Sequence, residues 1–374
     1  MSTLFDPVTV GRIPLPSRLV MAPMTRNRAT PQGVVTPLTA EYYAQRAGAG
    51  LIVSESIQPS VRGQGYILTP GLHSAEQVAA WRLVTDAVHA RGGRIVAQLT
   101  HCGRIGHPSL YPDGELPIAP SAVASGEQLI GFEGPLDHPT PREMTPADVA
   151  TAVQEFAHSA RNAVEAGFDG VEVHGGNGFL VHQFLADNTN LRTDAYGGSA
   201  THRARFAVEV VRAVADVVGA DRVGIRVSPG SPYNGMVEAD PVPVYTALLD
   251  ELAGLGIAYL HVIEMGTRDL TEQLRSAWPG TLILNPHVTM AVYPATAEAA
   301  HEAMAAGVAD AVSLAALWLA NPDLDARIRA GGPFNTPDPA TFYGGDHVGY
   351  TDYPALADII PVGRASSAGV PLDR

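Results

Sequence analysis

Eight short apolar runs, each followed by a segment with helical periodicity, constrain this chain more than any other feature. The runs occupy residues 18–22, 51–54, 94–99, 170–174, 223–227, 259–263, 281–284 and 311–314. Each is almost continuously hydrophobic, as a parallel strand covered on both faces must be. Between residues 75 and 91, Val78, Trp81, Val84 and Val88 share one face, Glu76, Arg82 and Asp86 lie off it, and Gly92 and Gly93 stop the helix. Segment 145–166 opens on Thr145, Pro146 and Asp148, a helix start signal. Segments 199–218, 241–255, 271–278, 296–306 and 322–330 complete the alternation. The pattern predicts a single (β/α)8 barrel over residues 1–374. An open doubly wound sheet would carry a glycine-rich turn after its first strand, and that turn here reads Ala22-Pro23-Met24-Thr25. Residues 104–144, rich in proline and glycine, interrupt the alternation and read as a capping insertion or lid.

Composition removes several chemistries. All 24 basic residues are arginine, so Schiff-base aldolases, pyridoxal phosphate enzymes and Walker-type nucleotidases are excluded. The single cysteine, Cys102, excludes an internal disulfide, a thiolate zinc cluster and a four-cysteine iron–sulfur centre, and no metal is expected. A net charge of −14 without a basic stripe argues against nucleic acid. No apolar stretch is long enough for a membrane span and residues 1–10 lack a signal-peptide pattern, so the expectation is a soluble, cytoplasmic protein.

Active-site groups of a barrel sit at the C-terminal ends of its strands. Those ends carry Thr25, Glu55, Gln98 with His101, His174 with Asn177, Arg226, Glu264 and Asn285 with His287. Any one of them alone is most simply a satisfied strand-end polar group; as a set they point to a site. His174 and Asn177 are two neutral donors on one short loop, suited to one carbonyl oxygen on which enolate charge develops. Arg226 needs an anionic or strongly accepting partner, either a ligand or Glu55 or Glu264. Gln98 can donate and accept at once, which suits an imide edge such as a flavin's.

Longer stretches carry a resemblance. RLVMAPMTRNRA at 18–29, GQGYILTPG at 63–71, GGRIVAQLTHCGR at 92–104, VHGGNGFLVHQFL at 173–185, NLRTDAYGGS at 190–199, GIRVSP at 224–229 and TFYGGDHVGYTDYP at 341–354 resemble the old yellow enzyme family, in order and over essentially the whole chain. The resemblance implies a barrel with FMN at its mouth, reduced by NAD(P)H, that passes hydride to the β-carbon of an activated alkene. It places Pro23, Met24 and Thr25 along the flavin ring and Gln98 and Arg226 at its pyrimidine side. It also places His174 and Asn177 on the substrate carbonyl, with Thr100, Tyr343 and Tyr350 in the substrate pocket.

Three positions depart from the family pattern. Phe179 stands where the family has a proton-donating tyrosine. The loop after the seventh strand reads Asn285-Pro286-His287-Val288 instead of Asn-Gly-Gly-aromatic, with extra residues up to Ala295, and the eighth strand ends in Ala315-Ala316 instead of Gly-Arg. Pro286 removes an amide donor, His287 puts a side chain where backbone should approach the phosphate, and each lost charge-assisted contact is worth roughly 1.5–3 kcal/mol. His287, Arg268 or Arg275 are the candidates to take over. From this the expectation is a member that has lost tight FMN and does redox-neutral isomerisation or cyclisation through His174 and Asn177. The alternative is an FMN-dependent NAD(P)H ene-reductase, and a small-molecule-binding pseudoenzyme is the third reading. The expected partner is an enone-like small molecule, with no nucleic acid and no membrane, and a homo-oligomer is allowed.

Overall fold

Parallel strands β1 (Leu19–Met21), β2 (Leu51–Ile57), β3 (Ile95–Leu99), β4 (Gly170–Gly175), β5 (Val223–Val227), β6 (Tyr259–Ile263), β7 (Leu282–Asn285) and β8 (Ala311–Leu314) close on one another in chain order. This is the (β/α)8 barrel that the alternation predicts. The computed structural model describes residues 2–266, 268–287 and 295–359. Val227 pairs beside Gly175 and Asn285 beside Ile263, so the strand ends are level and their polar residues meet at one mouth. Between β2 and β3 the register shifts from Val53 to Ser56, a bulge that lengthens β2 past its predicted end.

The outer helices are α1 (Pro37–Gln45), α2 (Ala75–His89), α3 (Pro146–Glu165), α4 (Ala200–Val218), α5 (Val242–Ala253), α6 (Arg268–Ala277), α7 (Ala297–Ala305) and α8 (Leu324–Ala330). Local chemistry starts them where the sequence suggests. Ser74 caps the Gln77 amide of α2, and Thr145 and Asp148 form a reciprocal capping box on α3. Helix α1 escapes the periodicity argument because Leu38, Ala40, Tyr42, Tyr43 and Ala44 cluster without forming a single stripe. The strand exteriors and helix faces share one core that includes Trp81, Phe156, Val211, Leu248 and Trp318.

The barrel's lower interior is filled by Val20, Val53, Val96, Tyr259 and Ile283, and it is plugged from below by the hairpin Val8–Val10/Ile13–Leu15. The pattern of apolar runs predicts no strand there. Residues 104–144 hold an antiparallel ribbon, Gln128–Gly131 with Gly134–Asp137, and a short parallel pair, Ile118–Ala119 with Arg142–Glu143. Arg104 is buried at the root of this insertion, and its guanidinium donates to the carbonyls of Ala124, Asn234 and Gly235 at 3.2, 2.8 and 3.0 Å, tying it to the loop after β5. Among the described residues no helix is long and apolar enough to cross a membrane.

Candidate active site

His174 lies one residue before the end of β4 and is only 3% exposed. Its Nδ1 accepts from the Gly176 amide at 3.3 Å, which assigns the proton to Nε2. Burial, and then the nearby Arg226 charge, hold its pKa well below the ordinary value, so the ring is a neutral donor rather than an acid. Asn177 follows with a left-handed backbone at φ 53°. Its amide donates to Ser228 Oγ at 2.7 Å, and its carbonyl accepts from Asn234 Nδ2 at 2.7 Å. Its Oδ1 is buried without a protein partner, so the side-chain amide end remains available to a ligand. Gly178 continues the turn at φ 75°, where a Cβ would come within 2.6 Å of Asn234 Cβ. The loop therefore carries both residues that the sequence paired, and Ser228 and Asn234 hold its backbone at Asn177.

Beneath this loop lies a buried polar network. Gln98 on β3 accepts from Ser56 Oγ at 3.0 Å and donates to Glu172 Oε1 at 2.8 Å. Thr100 is buried and its hydroxyl donates to Ser56 Oγ at 3.0 Å. Glu172 also pairs with His261 Nδ1 at 2.8 Å, and His261 Nε2 lies 2.8 Å from Ser313 Oγ. Burial alone would raise the Glu172 carboxyl, but His261, Arg226 and Gln98 together bring it below its ordinary value. Arg226 is held at about 10 by burial, against the favourable Glu172 charge, so it stays cationic at neutral pH. Its Nη2 donates to Asn285 Oδ1 at 3.3 Å, while its Nε is buried without a partner. Neither Glu55 nor Glu264 pairs with Arg226. The balancing carboxylate is Glu172, which strand-end reasoning missed because it sits in the middle of β4.

Pro23, Met24 and Thr25 are half-buried at the end of β1, with Arg26 fully buried behind them. Arg26 donates to the carbonyls of Phe342 and Gly349 at 2.9 and 2.8 Å, and Arg28 to Asp346 at 2.9 Å. These contacts explain why two distant motifs are long: the first holds the last against the barrel. They also correct the placement of Tyr350. It is fully buried, stacked on Tyr42 at 4.2 Å and covered by Arg28 at 4.5 Å, so it is core and cannot line a substrate pocket. Tyr343 is 68% exposed on the same segment.

Glu55 sits in this cluster and accepts from the Arg26 amide at 3.3 Å. Burial pushes its carboxyl up to about 7, against the attraction of Arg26 and Arg28. A raised carboxyl stabilises the fold below its unfolded pKa and loses that contribution as pH rises through the folded value. The shift corresponds to about 3 kcal/mol lost between the ordinary value of 4.5 and about 7. Glu55→Gln should therefore match wild type in urea unfolding at pH 4.5 and exceed it at pH 8. Parallel pH profiles for the two proteins would show that Glu55 is not the titrating group.

Phe179 packs edge-on against His174, with ring centroids 5.1 Å apart, and presents no proton. Phe179 also meets Tyr66 edge-on at 6.3 Å, and Tyr66 packs with Cys102 and Ile105. Sequence reasoning missed Tyr66 and Asn234; Tyr66 sits inside the quoted GQGYILTPG stretch, the one signal that could have found it.

At the other side of the mouth, the His287 amide donates to Glu264 Oε2 at 3.1 Å, and Arg268 clasps the same carboxylate at 2.6 and 3.2 Å. Arg268 thus stands beside the loop where the family binds phosphate. Arg275 does not, since it pairs with Asp310 at the start of β8, the opposite end of the barrel. Ala315 and Ala316 begin the short helix Ala316–Ala320 and bring no charge. The remainder of the loop after Pro286 and His287, residues 288–294, lies outside the described residues. For a flavin the ring half fits: Arg226, near the end of β5, keeps a buried Nε without a partner, and Pro23, Met24 and Thr25 at the β1 end are half-buried. For the phosphate, Arg268 is the described cation within reach of the loop. Among the described residues no His, Cys, Asp and Glu group could hold a metal ion.

Comparison with known proteins agrees with this geometry. Residues 3–335 match the model of the NADH:flavin oxidoreductase / NADH oxidase family. The chanoclavine-I aldehyde reductase of Penicillium roqueforti is 41% identical over 96% of this chain and 98% of its own length. A Leishmania infantum protein named "Probable flavin mononucleotide-dependent alkene reductase" is 40% identical over 95% of this chain and 98% of its own. The structure of morphinone reductase in complex with tetrahydroNAD superposes with a TM-score of 0.90 at 43% identity, covering 95% of this chain and 98% of that one. This chain belongs to the NADH:flavin oxidoreductase family of old yellow enzymes.

Proposed function

We propose that the protein is an FMN-dependent ene-reductase that uses NAD(P)H to saturate the double bond of an α,β-unsaturated carbonyl compound. The observation that carries this is the neutral His174/Asn177 pair above the Gln98–Arg226 ring site. The donors and the cation serve two molecules, an acceptor carbonyl and an electron-rich ring, in one mouth. The relatives support the same reading, since they are named for alkene and aldehyde reduction and for a nicotinamide complex. None of those names describes an isomerase or a cyclase, so the redox-neutral reading draws no support from them.

When bound, the flavin supplies the hydride, originally from NAD(P)H, that adds to the β-carbon. The protein's own residues do the rest. Arg226 and Gln98 would hold the pyrimidine edge, where the Arg226 charge would favour electron density. Glu172 holds the Gln98 amide in one orientation by accepting from its Nε2. His174 Nε2–H and the Asn177 amide polarise the substrate carbonyl and take up charge as it becomes an enolate. Arg268 would meet the phosphate, partly in exchange for Glu264.

Titrating flavin-free protein with FMN tests the cofactor half directly. Stoichiometric binding at micromolar or tighter affinity is expected, with Arg268→Ala weakening it about tenfold or more. Protein that takes up no FMN would overturn the proposal in favour of a flavin-free role.

A further inference from the structure

The proposed reaction needs a proton at the α-carbon, and Phe179 cannot give one. Candidate donors must lie beside His174 and Asn177 and hold a transferable proton. His174 is neutral, and losing its Nε2 proton would create an imidazolate. His101 is likewise neutral, its pKa pushed down to about 3 by burial. Cys102 is 6% exposed and its side chain is closed in behind Gly65, so its thiol is not free to reach a substrate. Tyr66 remains. Its ring meets Phe179 edge-on, and Phe179 in turn meets His174 edge-on, so the three rings form one continuous row. Its hydroxyl is beside the Asn234 side chain, the same amide that holds the Asn177 carbonyl at 2.7 Å. Burial raises its pKa, with Asn234 offsetting part of the effect, so the phenol keeps its proton at any working pH.

We infer that Tyr66 is the catalytic proton donor, taking from the neighbouring ring the role that Phe179 has vacated. The inference rests on the reductase reading. Hydride addition at the β-carbon moves the alkene electron pair toward the carbonyl oxygen, held by His174 and Asn177. In the same step the Tyr66 O–H bond breaks and its proton forms the new C–H bond at the α-carbon. The enolate electron pair becomes that bond as the carbonyl is restored. The phenolate left behind recovers a proton from water at the mouth. The electrons come from the reduced nicotinamide and the second proton from solvent, so the step balances.

The test uses FMN-loaded protein reduced by NADH without oxygen, and two acceptors. With 2-cyclohexenone, Tyr66→Phe should slow reoxidation about a hundredfold, the usual contribution of a positioned acid. With 1-nitrocyclohexene, whose carbanion is a stable nitronate, hydride transfer needs no concurrent proton. Tyr66→Phe should then reoxidise at the wild-type rate yet release nitronate, seen by its near-ultraviolet absorbance, where wild type releases nitrocyclohexane. Binding of p-nitrophenol, which depends on His174 and Asn177, should stay within about threefold of wild type. Cys102→Ala should behave as wild type in both reactions. Nitrocyclohexane from Tyr66→Phe at the wild-type rate, or nitronate from Cys102→Ala, overturns the role of Tyr66 and leaves the reductase reading intact. Loss of p-nitrophenol binding in Tyr66→Phe would assign Tyr66 to shaping the pocket, also against the inference. Failure of wild type to react with either alkene overturns both.

Discussion

His174→Ala and Asn177→Ala should each lower kcat for an enone about a hundredfold or more, with the fold unchanged. Each removes one of two donors aimed at an oxygen that becomes an oxyanion, and losing such a donor typically costs on the order of 3 kcal/mol in the transition state. The loss should fall on kcat and kcat/KM alike, because the contact strengthens as charge grows. Reduction of the bound flavin by NAD(P)H involves no substrate carbonyl and should change much less. Phenols report the same contacts at equilibrium, since a bound phenolate mimics the enolate. Both variants should lose the red shift of bound p-nitrophenol. Full activity with normal phenol binding would make the pair structural and would remove the basis of the proposed mechanism.

Arg226→Met should do two things at once. The guanidinium is buried beside Glu172, whose depressed pKa depends partly on it. Removing the cation leaves that carboxylate with His261 and Gln98 as its hydrogen-bond partners and with less compensating charge. Breaking a buried charge pair in this way typically costs about 3 kcal/mol or more, so urea unfolding should begin at clearly lower denaturant. It also removes the cation at the pyrimidine edge, a contact worth roughly 1.5–3 kcal/mol, which should weaken FMN by about tenfold to a hundredfold. A double change, Arg226→Met with Glu172→Gln, should recover stability but not FMN affinity, because only the first loss comes from the unpaired carboxylate. Recovery of both would show that Arg226 acts on the fold alone.

The barrel was legible because its strands are buried on both faces, so each prints as an uninterrupted apolar run. The strand ends also announced their polar groups, and His174, Gln98 and Arg226 stand near the C-terminal ends of their strands, with Asn177 just beyond. What escaped the sequence is instructive. Glu172 and His261 sit in the middle of strands, where a charged residue reads as an exception, and only the closed barrel shows them paired at 2.8 Å across its interior. Arg26 and Arg28 spend their donors on carbonyls more than three hundred residues away in the chain, a partnership without local pattern. That partnership is why Tyr350, which the motif suggested as pocket lining, is packed into the core. Arg275 and Arg268 are seven positions apart on α6, yet the helix carries them to opposite ends of the barrel. Tyr66 lies in a loop of left-handed and extended residues, where neither helical nor strand periodicity says which way a side chain faces.

The most direct test of the account mixes FMN-loaded, NADH-reduced protein with 2-cyclohexenone in the absence of oxygen and follows flavin absorbance and product together. The account predicts that the yellow colour returns as cyclohexanone appears, one molecule for each flavin reoxidised. A flavin that stays bleached while the enone is untouched, or is merely isomerised, would contradict it.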